Sequence, residues 1–132
     1  MNKYFPSEKI YAAVSKIVPT EKGVFAKKKI KQGEVIEICP IIAISADDTT
    51  EIQEQSLVTY MFYYGDKKEK SLIALGYGSL YNHLDTPNAS YSINSHEETI
   101  TFTALTDIKK DEEIAVNYAK NAENSLWFVN KT

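Results

Sequence analysis

The chain has 132 residues, 43% of them hydrophobic and 25% charged, which is the ordinary composition of a single globular domain. Its net charge is −3 and all 15 basic residues are lysine, so it lacks the guanidinium groups with which dedicated nucleic-acid binders grip phosphates and guanines. The one cysteine, Cys39, excludes an intrachain disulfide and a cysteine-rich zinc cluster, and we expect it to be a small buried hydrophobe. No apolar run approaches the roughly 20 residues of a membrane span. We therefore expect no metal, nucleic acid or membrane partner, and a location in the cytoplasm, or in a host after secretion by a route that the sequence does not reveal.

The predicted elements are short strands separated by polar turns. Tyr11 to Val18 is apolar and β-prone, and Val35 to Ile44 is long enough for a strand buried on both faces. Ala89 to Asn94 and Thr99 to Ala104 predict a hairpin, and Ile114 to Tyr118 predicts a last strand. Helical crossovers are missing, so the predicted fold class is mainly β, with several small sheets and little helix.

An irregular loop from Gly76 to Ala89 concentrates glycines, tyrosines, an Asn-His pair and a Pro-Asn pair within fourteen residues. Polar and aromatic loops of this kind, placed after an apolar strand, often build functional sites. The residues alone leave a second interpretation open, in which Asn82 and His83 only cap backbone groups of a turn-rich loop. The other histidine, His96, lies in a predicted polar turn, where we expect it to be solvated.

Four segments, in order along the chain, resemble the motifs of SET-domain protein lysine methyltransferases. They are Lys22–Ala26 with Ile30–Ile36, which resemble a GxGVFA stretch and an IxxGEVI strand; Asn82-His83 with Pro87-Asn88, which resemble NHSCxPN; Thr103–Ile114, which resembles the approach to the last motif; and Glu113–Tyr118, which resembles ELxxDY. The resemblance covers about residues 20–118 and implies a single SET domain, in which a knot-like C-terminal crossing brings Asn82-His83 next to Tyr118.

The resemblance also implies a cofactor, S-adenosylmethionine, and a role for each matched residue. Tyr118 is implied as the catalytic residue, with its hydroxyl near the transferring methyl group. The segment Lys22, Gly23, Val24 and Phe25 would hold the methionine end of the cofactor, with glycine allowing a close backbone approach. Asn82 would meet the cofactor's amino group and the backbone of His83 its adenine, with Tyr81 beside them.

The implied reaction needs an apolar channel, because a lysine attacks only as the neutral amine and its unperturbed pKa is about 10.4. For this channel we name Tyr64, Tyr77, Val116 and Phe128, although core or sheet packing is an open alternative for each tyrosine. The tail, residues 119–132, is expected to close the site, with Phe128 as a lid and Trp127 packed on the adenine; simple hydrophobic anchoring of the tail is the alternative.

Four positions depart from the family pattern: Glu21, Ser79, Asp85 and Asn117. They leave Asn82, His83 and Tyr118 in place, so an active methyltransferase with a protein or peptide lysine as substrate is the preferred hypothesis. A catalytically silent SET-like module that binds a peptide or partner is the alternative, and an unrelated β-rich interaction domain is a third. A homodimer also stays open.

Overall fold

The computed structural model describes residues 2–45, 47–48, 60–64 and 70–123, which form two β-sheets with little helix. The strands are β1 (Ile10–Val14), β2 (Lys22–Ala26), β3 (Val35–Ile44), β4 (Met61–Tyr64), β5 (Lys70–Ala74), β6 (Asn82–His83), β7 (Ala89–Asn94), β8 (Thr99–Ala104) and β9 (Glu113–Val116). A 3₁₀ turn covers Gly78–Leu80, and a helix, α1, covers Tyr118–Glu123. This confirms the mainly β fold. None of the described helices has the length and apolarity to cross a bilayer.

The two sheets differ in size, and both pair strands that lie far apart in the sequence. The smaller sheet has the strand order β1-β2-β9-β6, and the larger has the order β4-β5-β3-β8-β7. Strand β9 pairs antiparallel with β2 on one side and parallel with the two-residue strand β6 on the other. A late strand thus joins an early one to the segment that carries the Asn-His pair.

Strand β3 has the predicted bounds, but the prediction that both its faces are buried is wrong. Ile38 is 41% exposed and Ile42 is 51% exposed, whereas Ile36 and Cys39 are buried. The strand pairs with β8 along its first half and with β5 along its second, and a register shift follows Val35. An acidic side chain, Glu37, faces the interior instead.

Two strands end earlier than predicted, because side chains just after them form hydrogen bonds with the backbone. Strand β1 ends at Val14, because the Ser15 hydroxyl accepts hydrogen bonds from the backbone N–H of Ile17 (3.0 Å) and of Val18 (2.9 Å) and turns the chain. Strand β9 ends at Val116, and the Asn117 side chain accepts from the N–H of Lys120 at 2.9 Å, which caps α1.

One cluster of buried side chains draws on both sheets and has Phe102 near its middle. The ring of Tyr81 stacks on Phe102 with centroids 4.0 Å apart, and Phe62 and Tyr91 contact it at 6.4 and 5.8 Å. Cys39 is fully buried, as predicted, and burial raises the pKa of its thiol far above the usual range. This aromatic core lies directly behind the segment that carries Asn82 and His83.

Candidate active site

The pairing of β6 with β9 brings the Asn-His pair beside Tyr118. The N–H of Leu84 donates to the carbonyl of Val116 at 3.0 Å, and the N–H of Tyr118 donates to His83 Nδ1 at 3.2 Å. In the neutral imidazole an accepting Nδ1 leaves the proton on Nε2, which lies 3.2 Å from Asp85 Oδ1. The His83 ring is thus held between α1 and its own loop and serves as a structural bridge.

The Tyr118 hydroxyl has a defined hydrogen-bond partner in this region. It donates a 2.5 Å hydrogen bond to the carbonyl of Tyr81, and the rings of Phe62 and Tyr91 both lie 5.7 Å from the Tyr118 ring. Burial is the main cause that raises the pKa of Tyr118 well above its ordinary value. The hydroxyl therefore stays protonated at neutral pH, and its oxygen keeps a lone pair for a further hydrogen bond.

A cavity of about 290 Å³ opens on these groups. It is lined by Val18, Glu21, Lys22, Tyr60, Ser79, Leu80, Tyr81, Asn82, His83 and Tyr118. A second cavity of about 360 Å³ shares four of these residues and continues along Val14, Pro19 and Thr20. Together they make a trough of the size usual for small-molecule sites, with carboxylate, ammonium and amide groups in its wall.

Asn82 is oriented by two acceptors. Its Nδ2 donates to the carbonyl of Lys22 at 3.1 Å and to Glu113 Oε2 at 3.2 Å. Glu113 is only 8% exposed, and its carboxylate also accepts from the Ser15 hydroxyl and from the N–H groups of Lys16 and Ile17. Both protons of the Asn82 amide are thereby used within the protein.

Comparison with known proteins identifies this arrangement. The family "SET domain" matches residues 21–119, three quarters of the chain. The chain belongs to the SET-domain family. A Schizosaccharomyces pombe relative, the histone-lysine N-methyltransferase specific for H3 lysine-37, is 29% identical over 81% of this chain and 69% of its own length. The histone-lysine N-methyltransferase EZH2 of Chaetomium thermophilum is 31% identical over 77% of this chain, which spans only 8% of that protein.

Solved structures agree with the sequence relatives. A candidate histone methyltransferase of Plasmodium falciparum superimposes with a TM-score of 0.62 at 35% identity, covering 83% of this chain and 96% of that one. The Chaetomium thermophilum polycomb repressive complex 2, in an autoinhibited conformation bound to S-adenosylmethionine, gives a TM-score of 0.71 at 25% identity, covering 89% and 16%. By family and relatives, this SET-domain chain is a protein-lysine methyltransferase.

Within the SET domain, the predicted cofactor segment reaches the trough at one end only. Lys22 lines it, whereas Val24 is fully buried in the core and Phe25 stacks on Tyr11 with centroids 5.5 Å apart. The space beside Gly23, where a Cβ would project, holds the Glu113 carboxylate and the Asn82 amide. Gly23 therefore makes room for a contact within the protein. The binding roles of these residues remain predictions.

Of the predicted channel residues that the structure describes, none lines the trough beside Tyr118. Tyr64 and Val116 are buried in the core, and Tyr77 lines a different cavity, of about 400 Å³, beside Phe5. Tyr77 lies away from Tyr118 because the chain makes a left-handed turn at Gly76 (φ 63°). After this turn the N–H of Tyr77 donates to the Glu37 carboxylate on β3 at 3.0 Å. Trp127 and Phe128 lie outside the described residues.

Among the described residues, the six-membered rings that flank Tyr118 are those of Phe62 and Tyr91, and sequence reasoning missed both. Tyr91 is one of the inward positions of β7, whose residues alternate between buried and half-buried, so the strand period predicts its burial. Nothing in the local sequence predicts that this inward face meets Tyr118, because β7 and α1 come together only in the fold.

The four departures from the SET pattern all have defined surroundings. Glu21 lies in the trough wall and accepts from the Tyr60 hydroxyl at 3.1 Å, and the Ser79 hydroxyl donates to the carbonyl of Ala74 at 3.3 Å. Asp85 contacts His83, and Asn117 donates to the carbonyl of Asp85 at 3.2 Å while capping α1. Three of these residues thus support the loop or the helix of the site. Among the described residues no group of three or more His, Cys, Asp or Glu side chains is arranged to hold a metal.

Proposed function

We propose that the chain transfers a methyl group from S-adenosylmethionine to the ε-amine of a lysine in a protein substrate. The observation that carries this proposal is the neutral Tyr118 hydroxyl, bonded to the Tyr81 carbonyl at the wall of the trough. Relatives that are histone-lysine methyltransferases support the same reaction.

The groups in the trough suit this cofactor. Its methionine end carries one ammonium and one carboxylate, and the wall offers the opposite charges on Glu21 and Lys22, together with the amide of Asn82. When bound, the cofactor supplies a methyl group on a positively charged sulfur. Asn82 and Lys22 would hold the methionine end, and the backbone of His83 would lie against the adenine.

The residues around Tyr118 prepare the lysine. Phe62 and Tyr91 surround the Tyr118 ring with apolar surface, which disfavours the ammonium form and lowers the cost of deprotonating the substrate amine. Since the Tyr118 hydroxyl donates to the Tyr81 carbonyl, its oxygen can accept an N–H of the amine and direct the nitrogen lone pair. Tyr118 orients the amine and takes no proton. Such alignment can remove roughly 7–11 kcal/mol of a barrier.

Histone H3 is the substrate we propose to test first. The Schizosaccharomyces pombe relative is named as specific for lysine-37 of that protein. The net charge of −3 on this chain also favours association with a basic protein segment. The proposed substrate class is therefore a lysine in an exposed, basic segment of a protein.

The decisive experiment compares the wild type with Tyr118→Phe in a methyl-transfer assay on histone H3 and on a lysine peptide array. The variant keeps the ring packing and loses only the hydroxyl, so turnover should fall by about 10²–10³-fold. The affinity for S-adenosylhomocysteine, measured by calorimetry, should stay within about threefold, which is under 1 kcal/mol. Tyr11→Phe is the matched control, because it also removes one hydroxyl hydrogen bond, to Asp111 at 2.8 Å. Tyr11 lies on β1 and does not line the trough.

Two results would overturn the proposal. Normal turnover in Tyr118→Phe would remove Tyr118 from the reaction. A wild type that binds S-adenosylhomocysteine but methylates neither histone H3 nor any array peptide would instead favour the catalytically silent binding module.

A further inference from the structure

The buried carboxylate of Glu113 has no cationic partner among the described residues, but four hydrogen bonds hold it in place. Oε1 accepts from the N–H groups of Lys16 (2.7 Å) and Ile17 (3.3 Å), which ties it to the turn after β1. Oε2 accepts from the Ser15 hydroxyl (2.6 Å) and from Asn82 Nδ2 (3.2 Å). The carboxylate is therefore clamped on one side and presents an acceptor to Asn82 on the other.

An asparagine amide has a donor end and an acceptor end, and its neighbours decide which end faces the ligand. At Asn82 the two acceptors, Glu113 Oε2 and the Lys22 carbonyl, both face Nδ2. The opposite end, Oδ1, accepts no hydrogen bond from the described residues, and Asn82 lines the trough. The outward group is thus a carbonyl oxygen, which accepts from a cation.

We infer that Glu113 is a positioning residue that fixes the Asn82 amide with its oxygen toward the trough, and so makes the site select ligands that carry an ammonium group. This inference rests on the proposed function only for the identity of the ligand. Gly23 makes room for this contact between Glu113 and Asn82, because any Cβ there would occupy the space of Glu113 Oε2 and of Asn82 Nδ2.

The test variant is Glu113→Gln, which preserves size. The Gln oxygen can keep the N–H groups of Lys16 and Ile17, so its NH₂ replaces Oε2 and faces the NH₂ of Asn82. Two donors cannot bond to each other, so the substituted side chain repels Asn82 Nδ2, which only the Lys22 carbonyl still holds, and the amide oxygen loses its fixed position toward the ligand's ammonium. Recognition of the ammonium should then fail while the rest of the ligand still binds.

The measurement is the affinity for S-adenosylhomocysteine and for the same molecule with hydrogen in place of its amino group. Wild type should prefer the amino compound by about ten- to a hundredfold, as expected for a hydrogen bond to a charged group. Glu113→Gln should reduce this preference below about threefold, mainly by weakening the amino compound. Ser15→Ala is the matched control: it removes the 2.6 Å bond to the same oxygen but leaves the acceptor, so it should keep the preference.

The outcomes separate this inference from the proposed function. A wild type that binds neither compound contradicts the proposed function, and one that binds both equally contradicts only the role of the Asn82 oxygen. Equal weakening of both compounds in Glu113→Gln would show a merely structural carboxylate, and loss of the preference in Ser15→Ala would assign the effect to the turn. If Glu113→Gln does not fold, Gly23→Ala tests the same contact from the other side and should also lose the preference.

Discussion

Two buried carboxylates support the two polar groups of the site, the Asn82 amide and the Tyr118 hydroxyl. Glu113 holds the amide of Asn82, and Glu37, 6% exposed, accepts from the Tyr81 hydroxyl at 2.9 Å. The backbone carbonyl of Tyr81 in turn accepts from Tyr118. Neither carboxylate lines the trough. Each acts through the residue that it holds, and burying a carboxylate is costly unless hydrogen bonds compensate for the lost water.

At the residue scale, Gly23→Ala tests how tightly the Glu113–Asn82 contact is packed. The new methyl group would overlap Glu113 Oε2, which cannot retreat because the turn at residues 15–17 holds the carboxylate. We expect a loss of about 1–3 kcal/mol in the free energy of unfolding, measured by urea denaturation, and weaker binding of S-adenosylhomocysteine.

Gly33→Ala is the control for this substitution. Gly33 has φ 85° with open space beside it, so alanine there should cost about 1–2 kcal/mol through backbone strain alone. Its affinity for S-adenosylhomocysteine should equal that of the wild type. Equal affinity in Gly23→Ala as well would mean that the contact at residue 23 serves stability only.

At the element scale, Asn88 fastens the loop after β6 to β9. Its Nδ2 donates to the carbonyl of Glu113 at 2.9 Å, and its Oδ1 accepts from the N–H of Ala115 at 2.8 Å. Asn88→Ala removes both bonds and leaves two backbone groups of β9 without them, so we expect unfolding to become easier by about 1–3 kcal/mol in urea denaturation. Turnover should fall too, because β9 leads directly into Tyr118.

A second asparagine provides the comparison for Asn88→Ala. Asn94 accepts one bond, from the N–H of Glu97 at 3.0 Å, in the exposed turn of the β7–β8 hairpin. Asn94→Ala should cost no more than about 1 kcal/mol and leave turnover intact. A similar loss of stability in both variants would argue against a special role for the bond between the loop and β9.

The elements differ in how far the sequence predicts them. Strands β3, β7 and β8 have the predicted bounds, since an apolar run and clean alternation are local signals. The ends of β1 and β9 are missed, because the side chains of Ser15 and Asn117 stop them by bonding to nearby backbone groups. Such caps leave the hydrophobic pattern unchanged.

The same division holds for the site. The motif resemblance predicts that Asn82 and His83 meet Tyr118, and the bond from the Tyr118 N–H to His83 confirms it. The aromatic channel was predicted from residue type alone; among the described residues, the six-membered rings beside Tyr118 are those of Phe62 and Tyr91. The supporting role of Glu113 depends on contacts across more than 90 residues, which no local pattern contains.

At the scale of the whole molecule, three tyrosines that lie in the core or pack against it couple folding to alkaline pH. Burial is the main cause that raises the pKa of Tyr81, Tyr91 and Tyr118 above the ordinary value of 10.0. A raised folded pKa means that the stabilisation is fully present below pH about 10 and is lost as the pH rises toward the folded pKa. We therefore expect the free energy of unfolding to fall above pH 10.

Absorbance of the phenolate and circular dichroism, followed together from pH 8 to 12, test this expectation. The phenolate signal of the buried tyrosines should appear with the loss of β structure, in one transition. Tyr91→Phe should weaken the pH dependence, because one fewer phenol ionises on unfolding. Full ionisation near pH 10 with the fold intact would contradict the burial of these rings.

Because β9 completes both the smaller sheet and the site, the order of synthesis has a consequence for activity. Ser15 leaves the ribosome first, and its partner Glu113 follows 98 residues later. At cellular rates of roughly 5–20 residues per second, the interval is on the order of ten seconds. Until then the β1–β2 hairpin keeps an unpaired edge, and Asn82 lacks one of its two orienting acceptors. We therefore expect the nascent chain to acquire the proposed activity only after β9 and Tyr118 have been added.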